Sequence, residues 1–324
     1  MSDQEVFACP SGWVYNEERI AAANERMESA GYTVAFDADR PQLKGCWSRK
    51  RGVGITRVMA QDAEKKVTGS NRKTNVQRRG TCVGQGHSRG IEDTHYGRLA
   101  AKAIIGKAVQ IVYEAMYGGE RAAKWGKTHP WGCGCGNCPD GLSGADAAAW
   151  YTLKGALARG MYGDFDLTAA QEHFAIDWNN SGVPEILVAA SVFHKLRAHS
   201  SNSWDDYADA VSSEHYGAIC LPKLFYGRVK DKNGCVEPDG DGGHCTECSG
   251  VLVLPSGETG FVIQNSWPVG ATKYPSEVQT ASGPVPMREG QYVVRQSVLE
   301  GISSRYRDRV ERHSYEIPPE ASFR

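Results

Sequence analysis

Thr259–Trp267 reads TGFVIQNSW, an apolar run that ends at Asn265-Ser266-Trp267. A short run of β-branched and aromatic residues of this kind predicts a buried strand. The preceding stretch, SGVLVLPSG, is a second apolar run, and PSGETG (255–260) between the two is a hairpin signal. Farther out, YGAICLPKLFYGRV and GQYVVRQSVL are also strand-like, divided from their neighbours by Gly, Pro and Asp turns. The chain beyond about Tyr216 therefore reads as β-rich. The tail, SSRYRDRVERHSYEIPPEASFR, is polar enough to wrap the surface or remain mobile.

The first part of the chain has a different texture. NEERIAAANERMESAG (16–31) predicts a short amphipathic helix. GRLAAKAIIGKAVQIVYEAMYG (97–118) and ADAAAWYTLKGALARG (145–160) have apolar residues at helical spacing, and Asp166–His199 adds helical material broken at Pro184. Asp37–Gly80, rich in Gly, Ser, Asn and charge, predicts mostly loop with one strand-like piece, VGITRVMA. A helical first half before a β-rich second half predicts an α+β fold of two lobes. The expected organisation is an N-terminal extension over 1–45, a helical lobe over 46–200 and a β-rich lobe over 201–324.

Three residues in this layout carry chemistry. Cys82, in VQRRGTCVGQGHSRG, follows a Gly-Thr turn and precedes helical sequence. A thiol at a helix N-terminus meets unpaired N–H groups that favour its thiolate. A lone cysteine is more often a buried structural thiol, so Cys82 needs a partner. His244, in DGDGGHCTECSGVLVL, lies where a Gly/Asp loop enters an apolar strand. Two adjacent antiparallel strands can set His244 beside Asn265, whose side-chain oxygen then accepts from one ring nitrogen and leaves the other for the thiol. Trp267 can cover that contact. His87 and His95, five and thirteen residues past Cys82, do not point back over it. The remaining histidines read as surface or packing residues, and Glu92 and Asp93 as charges on a helix surface.

The order Cys82, His244, Asn265-Ser266-Trp267 resembles the papain family of cysteine peptidases, over roughly Val76 to Val294. GTCVGQG is similar to the family's nucleophile segment, GLSGADAAAWYTLKGALARG to its Gly-rich turn and helix, GGHCTECSGVLVL to its histidine strand, and GQYVV to its Gly-Tyr strand. FVIQNSW is the most specific piece. The resemblance implies a papain-like two-lobed fold, a helical lobe followed by an antiparallel β-barrel-like lobe with the site in the cleft between them. It implies Cys82 as nucleophile, His244 as general base and acid, Asn265 as its orienter and Trp267 as a shield. It also implies Gln77 as the side-chain donor of the oxyanion hole. Gln77 stands five residues before Cys82 where the family pattern has six, a spacing occupied by Val76, with Asn75 as an alternative donor. Val83 replaces the family's Trp, and Pro268 its Gly before an insertion-like stretch through Met287. The 81 residues before Cys82 do not match the family's inhibitory propeptide.

The 324 residues include ten cysteines. CGCGNC (Cys133, Cys135, Cys138) has zinc-like spacing and needs a fourth ligand from Cys46, Cys9 or the Cys245-Thr-Glu-Cys248 pair. Comparable loop cysteines in secreted members of the papain family form disulfides. Zinc, disulfides and neither stay open, and no metal or cofactor is assigned.

Composition narrows the function classes. Apolar content of 40% and charged content of 23% are ordinary for a globular protein, and a net charge of −1 argues against wholesale nucleic-acid binding. The basic run from Lys44 to Arg79 reads as a solvated lead-in to the Cys82 helix. No stretch approaches the roughly 20 apolar residues that span a bilayer, and MSDQEVFACPSGW lacks a secretory-signal pattern. The chain is expected in the cytoplasm or carried within a particle. The expected activity is peptide-bond hydrolysis on a polypeptide substrate through a cysteinyl acyl-enzyme. The rival reading is a structural or virion-associated part of a larger assembly, with a relict site on the same scaffold. Transfer of the acyl group to an amine is a third.

Overall fold

Strand β6 (Gly240–Val253), the longest strand among the described residues, organises the sheet on which the helices pack. The computed structural model describes residues 13–32, 43–71, 77, 80–106, 109–125, 141–267, 270–306 and 309–318. Cys9, Asn75, Val76, His129, Cys133, Cys135, Cys138 and Pro268 lie outside the described residues. The hairpin read from PSGETG joins β6 to β7 (Thr259–Gln264), with Val251 opposite Phe261. On its far edge β7 pairs with β10 (Gln291–Arg295). On the other side, β6 pairs with β5 (Gly217–Leu224) along its first half and with β1 (Arg57–Met59) beyond it. The sheet then continues through β11 (Glu311–Glu316) to β4 (Arg197–Ser200). Every neighbouring pair is antiparallel. The sheet ends on β10 and β4 without closing, so the expected barrel-like lobe is an open antiparallel sheet. Two small ladders stand apart from it: β2 (Met161–Tyr162) with β3 (Phe165–Asp166), and β8 (Glu277–Thr280) with β9 (Gly283–Pro286).

Helices cover the sheet on both faces, which is why β6 is buried throughout residues 244–253. On one face, α4 (Cys82–Ala101), α5 (Tyr113–Trp125) and α6 (Gly144–Leu153) enclose a core that includes Cys82, Met116, Tyr151, Cys220 and Cys245. α1 (Glu17–Ser29) packs against α6. The start of α6 is set by a capping box: Ser143 Oγ accepts from Asp146 N at 3.2 Å, and Asp146 Oδ2 accepts from Ser143 N at 3.1 Å. On the other face, α9 (Trp204–Ser212) and α10 (Gln296–Tyr306) cover a second core. There Trp204 meets Phe261 edge-on with ring centroids 5.3 Å apart, a contact worth about 1 kcal/mol beyond its buried area. α7 (Glu172–Ser181) and α8 (Glu185–Ser191) complete the helical side, with Pro184 capping the latter. No helix among the described residues is long and apolar enough to cross a membrane.

Four expectations differ from this architecture. Asp37–Gly80 is not mostly loop: it contains α2 (Cys46–Gly52), β1 and α3 (Ala60–Thr68). Residues 97–118 are the end of one helix and the start of another, broken after Ala101. Glu92 and Asp93 are buried rather than on a helix surface, and Glu92 Oε1 accepts from Ile111 N at 2.7 Å. The polar tail contributes β11, inserted between β5 and β4. Its Glu311 is buried because its carboxylate accepts from Trp13 Nε1 at 2.7 Å, Gly144 N at 3.0 Å and Ala145 N at 2.7 Å.

Candidate active site

Asn265 follows the last residue of β7, and its backbone N–H donates to Gly290 O at 2.9 Å. Its side chain is held from both ends. Oδ1 accepts from His244 Nε2 at 2.9 Å, Ser266 N at 2.8 Å and Trp267 N at 3.3 Å. Nδ2 donates to the Tyr274 hydroxyl at 2.6 Å, and that hydroxyl donates onward to Phe225 O at 2.6 Å. The amide therefore has little freedom to turn away from the imidazole.

His244 stands opposite Leu221 in the β5–β6 register. Its ring stacks on Trp267 with centroids 4.4 Å apart, and Trp267 stacks in turn on Tyr226 at 5.1 Å. Burial of the ring lowers its pKa to about 4, against the opposing pull of the Asn265 bond, so the imidazole is neutral at pH 7. Because an amide oxygen takes the Nε2 proton, Nδ1 carries the lone pair. Nδ1 is buried and has no hydrogen-bond partner among the described residues.

Cys82 is the first residue of α4 and is buried, outside any disulfide. The N-cap Thr81 is tied on both sides: its hydroxyl donates to Glu172 Oε1 at 3.2 Å and accepts from Gln85 Nε2 at 3.1 Å. The glycines after Cys82 do not disturb the helix, and two of them, Gly86 and Gly90, let it approach the sheet. A side chain on Gly86 would begin 3.1 Å from the Thr246 backbone, and one on Gly90 would begin 2.4 Å from Gly217 Cα. Gly217 pairs with Cys248, so four residues along α4 match two residues along β6, rises of about 6 and 6.6 Å. One helical turn back from Gly86 is Cys82, and two strand residues back from Thr246 is His244. Arg89 fits the same alignment, with its Nε 3.8 Å from the buried Glu247.

Gln77 joins the two halves of this arrangement. Its backbone N–H donates to Ser266 O at 2.7 Å, and its Oε1 accepts from Ser266 Oγ at 2.9 Å. Gln77, five residues before Cys82, is in this way tied to the residue beside Asn265. Of the five residues singled out in the sequence, His244, Asn265 and Trp267 are in mutual contact, Gln77 reaches them through Ser266, and Cys82 opens the helix whose Gly86 meets β6 at Thr246. Sequence reasoning missed Ser266, Tyr274, Tyr226 and Thr81. Ser266 lay inside the quoted motif and Thr81 beside the thiol. Tyr274 sits in the insertion-like stretch, where no local signal marks it.

No family model matches the chain, and no curated protein matches it. Solved structures similar to it include xylellain, a cysteine protease from Xylella fastidiosa, at 12% identity over 81% of this chain and 86% of that one, with a TM-score of 0.49. Procathepsin B S9 from Trypanosoma congolense is 11% identical over 95% of this chain and 99% of that chain, with a TM-score of 0.47. The bromelain protease from Ananas comosus, solved in complex with the E64 inhibitor, is 12% identical over 81% and 99%, with a TM-score of 0.41. The likeness is to papain-like cysteine proteases. At TM-scores below 0.5 it carries no argument about this chain, and what the site can do rests on the geometry above.

Proposed function

We propose that the chain is a papain-like thiol peptidase, with Cys82 as nucleophile, His244 as acid and base, and Asn265 orienting the imidazole. The observation that carries this reading is the state of the His244 ring. One nitrogen is clamped by Asn265 Oδ1 at 2.9 Å, and the other is buried without a partner among the described residues, while Cys82 opens the helix that packs on the same strand.

In this mechanism Nδ1 takes the Cys82 proton as Sγ attacks the carbonyl carbon of a peptide bond. The burial that keeps His244 neutral favours a resting thiol–imidazole pair, so the proton moves as attack proceeds. The oxyanion is met by the Cys82 backbone N–H, in the first turn of α4, and by the Gln77 amide. Collapse of the tetrahedral intermediate breaks the C–N bond, and Nδ1–H protonates the departing amine. A water molecule then gives its proton to Nδ1 and attacks the thioester. The acid product leaves and the thiol regains its proton. Asn265 keeps the ring in one tautomer throughout, and Trp267 excludes water from the His–Asn bond.

A second reading, a relict site on a structural or virion-associated component, has one observation in its favour. Trp13 covers Gly243 beside His244, where a side chain on Gly243 would begin 2.5 Å from Trp13 O, and Cys82 is fully buried. One experiment separates the two. An epoxysuccinyl or iodoacetamide reagent is applied at neutral pH, with the modified cysteine located by mass spectrometry and proteolysis assayed on a denatured polypeptide. A working peptidase has Cys82 alkylated faster than free cysteine, and Cys82→Ala abolishes cleavage. Alkylation no faster than free cysteine, together with cleavage that survives Cys82→Ala, removes the assignment.

A further inference from the structure

Cys245 follows His244 on β6, so its side chain turns to the opposite face, into the core beneath α4. Its register partner on β5 is Cys220, and the two are joined as a disulfide. His87, on α4, closes over them. A ring nitrogen of His87 and both sulfurs lie within 4.8 Å of one another, and all three residues are fully buried. His87 Nδ1 is engaged by the Tyr315 hydroxyl, while Nε2 is buried with no hydrogen-bond partner among the described residues.

A second imidazole borders the same space. The rings of His313 and His87 have centroids 5.3 Å apart. His313 Nε2 and Cys220 Sγ lie 3.0 and 3.1 Å from the point where a side chain on Gly144 would begin. With glycine at that position, a small gap remains between nitrogen and sulfur. A disulfide accounts for the two sulfurs, but not for an orphaned nitrogen on the imidazole that closes over them or for a second histidine beside it. Buried polar atoms without partners are rare and call for a ligand or a role.

We propose that Cys220, Cys245, His87 and His313 form a buried site for a zinc-type divalent cation in the reduced chain, and that the disulfide is the oxidised, metal-free form of the same site. Two cysteines and two histidines are a tetrahedral zinc set. Two thiolates neutralise the ion's charge, which lowers the cost of holding it in a dry core. Both imidazoles already have an outer partner. The Tyr315 hydroxyl engages His87 Nδ1, and Ser200 Oγ lies 3.2 Å from His313 Nδ1, leaving each Nε2 for the metal. His313 exchanges only a 3.4 Å contact with Glu311 for the ion. The interconversion balances with a thiol reductant. Two reductant thiols give two electrons and two protons to the Cys220–Cys245 bond and become a disulfide themselves. Zn2+ then displaces the two new thiol protons to solvent.

The test uses the full chain, reduced with a thiol under argon, incubated with Zn2+ or Co2+ alone and desalted. About one zinc per chain by elemental mass spectrometry, and a cobalt spectrum with tetrahedral d–d and thiolate charge-transfer bands, are expected. Cys220→Ser and His87→Gln should each lower bound metal by about tenfold or more, as removal of a ligand from a closed site does. Cys82→Ser and Cys248→Ser should leave it unchanged. If the variants misfold, alkylation of the unmodified chain decides: added Zn2+ should protect Cys220 and Cys245, and a chelator should expose them. A reduced chain that retains no metal, a cobalt spectrum that survives Cys220→Ser, or one lost in Cys82→Ser would each overturn the proposal.

Discussion

His244 Nε2 donates to Asn265 Oδ1 at 2.9 Å, and the same oxygen accepts from the backbone of Ser266 at 2.8 Å, so the acceptor cannot swing away without breaking its own turn. Replacing it with alanine releases the imidazole to rotate and to change tautomer. Asn265→Ala is expected to lower kcat/KM by about 10²-fold with the fold retained. Tyr274→Phe, which loosens the far end of the amide, should cost about 1 kcal/mol, roughly fivefold in rate. Steady-state kinetics on one peptide substrate checks both, and an unchanged Asn265→Ala rate would detach Asn265 from catalysis.

The buried imidazole makes a prediction about pH. Folding lowers the pKa of His244 from 6.5 to about 4. Between those values the unfolded chain binds more protons than the folded one, so stability rises with pH through that window and falls as the pH drops toward 4. His95, also lowered to about 4 by burial, acts in the same direction. The urea midpoint should therefore fall between pH 7 and pH 4.5, and by less in His244→Gln than in the parent. Equal falls would mean that His244 is not held neutral in the core. The acid limb of kcat/KM should likewise lie well below pH 6.5.

Gln77 is expected to act on the transition state rather than on binding. Gln77→Ala should reduce kcat by about 10²-fold while KM changes little. Ser266→Ala, which removes only the 2.9 Å bond that positions Gln77, should have a smaller effect in the same direction. A rise in KM without loss of kcat would place Gln77 in substrate binding instead.

The approach of α4 to the sheet can be tested without any assay of activity. Gly90→Ala would place a methyl group 2.4 Å from Gly217 Cα, which only backbone movement can relieve, so a loss of about 2–3 kcal/mol is expected. Gly301→Ala, on the exposed face of α10 with nothing within 4 Å, should instead stabilise by about 0.5–1 kcal/mol. Urea denaturation of the two variants gives the comparison.

Glu311 holds three donors from two distant parts of the chain. Glu311→Ala leaves the Trp13 indole and the first N–H groups of α6 buried and unmatched, at a cost of about 3 kcal/mol. A thermal midpoint within a degree of the parent would show that water satisfies these groups.

The strands of the second half were legible because a buried strand is written in neighbouring residues: SGVLVLPSG and TGFVIQ are apolar, β-branched and bounded by turn formers. β11 was not legible, since ERHSYE looks solvated until Trp13, Gly144 and Ala145 are brought to Glu311. The break after Ala101 was hidden by apolar residues that continue past it at helical spacing.

At the site the division is the same. The sequence by itself determined a thiol opening a helix, a histidine early in a strand and Asn-Ser-Trp closing its neighbour, because each depends on residues a few positions away. Only the tertiary structure decided that Ser266 holds Gln77 from 189 positions along the chain, that Tyr274 pins Asn265, and that His87 and His313 border the Cys220–Cys245 pair. A buried polar group is defined by the partner that satisfies it, and packing, not local backbone preference, selects that partner.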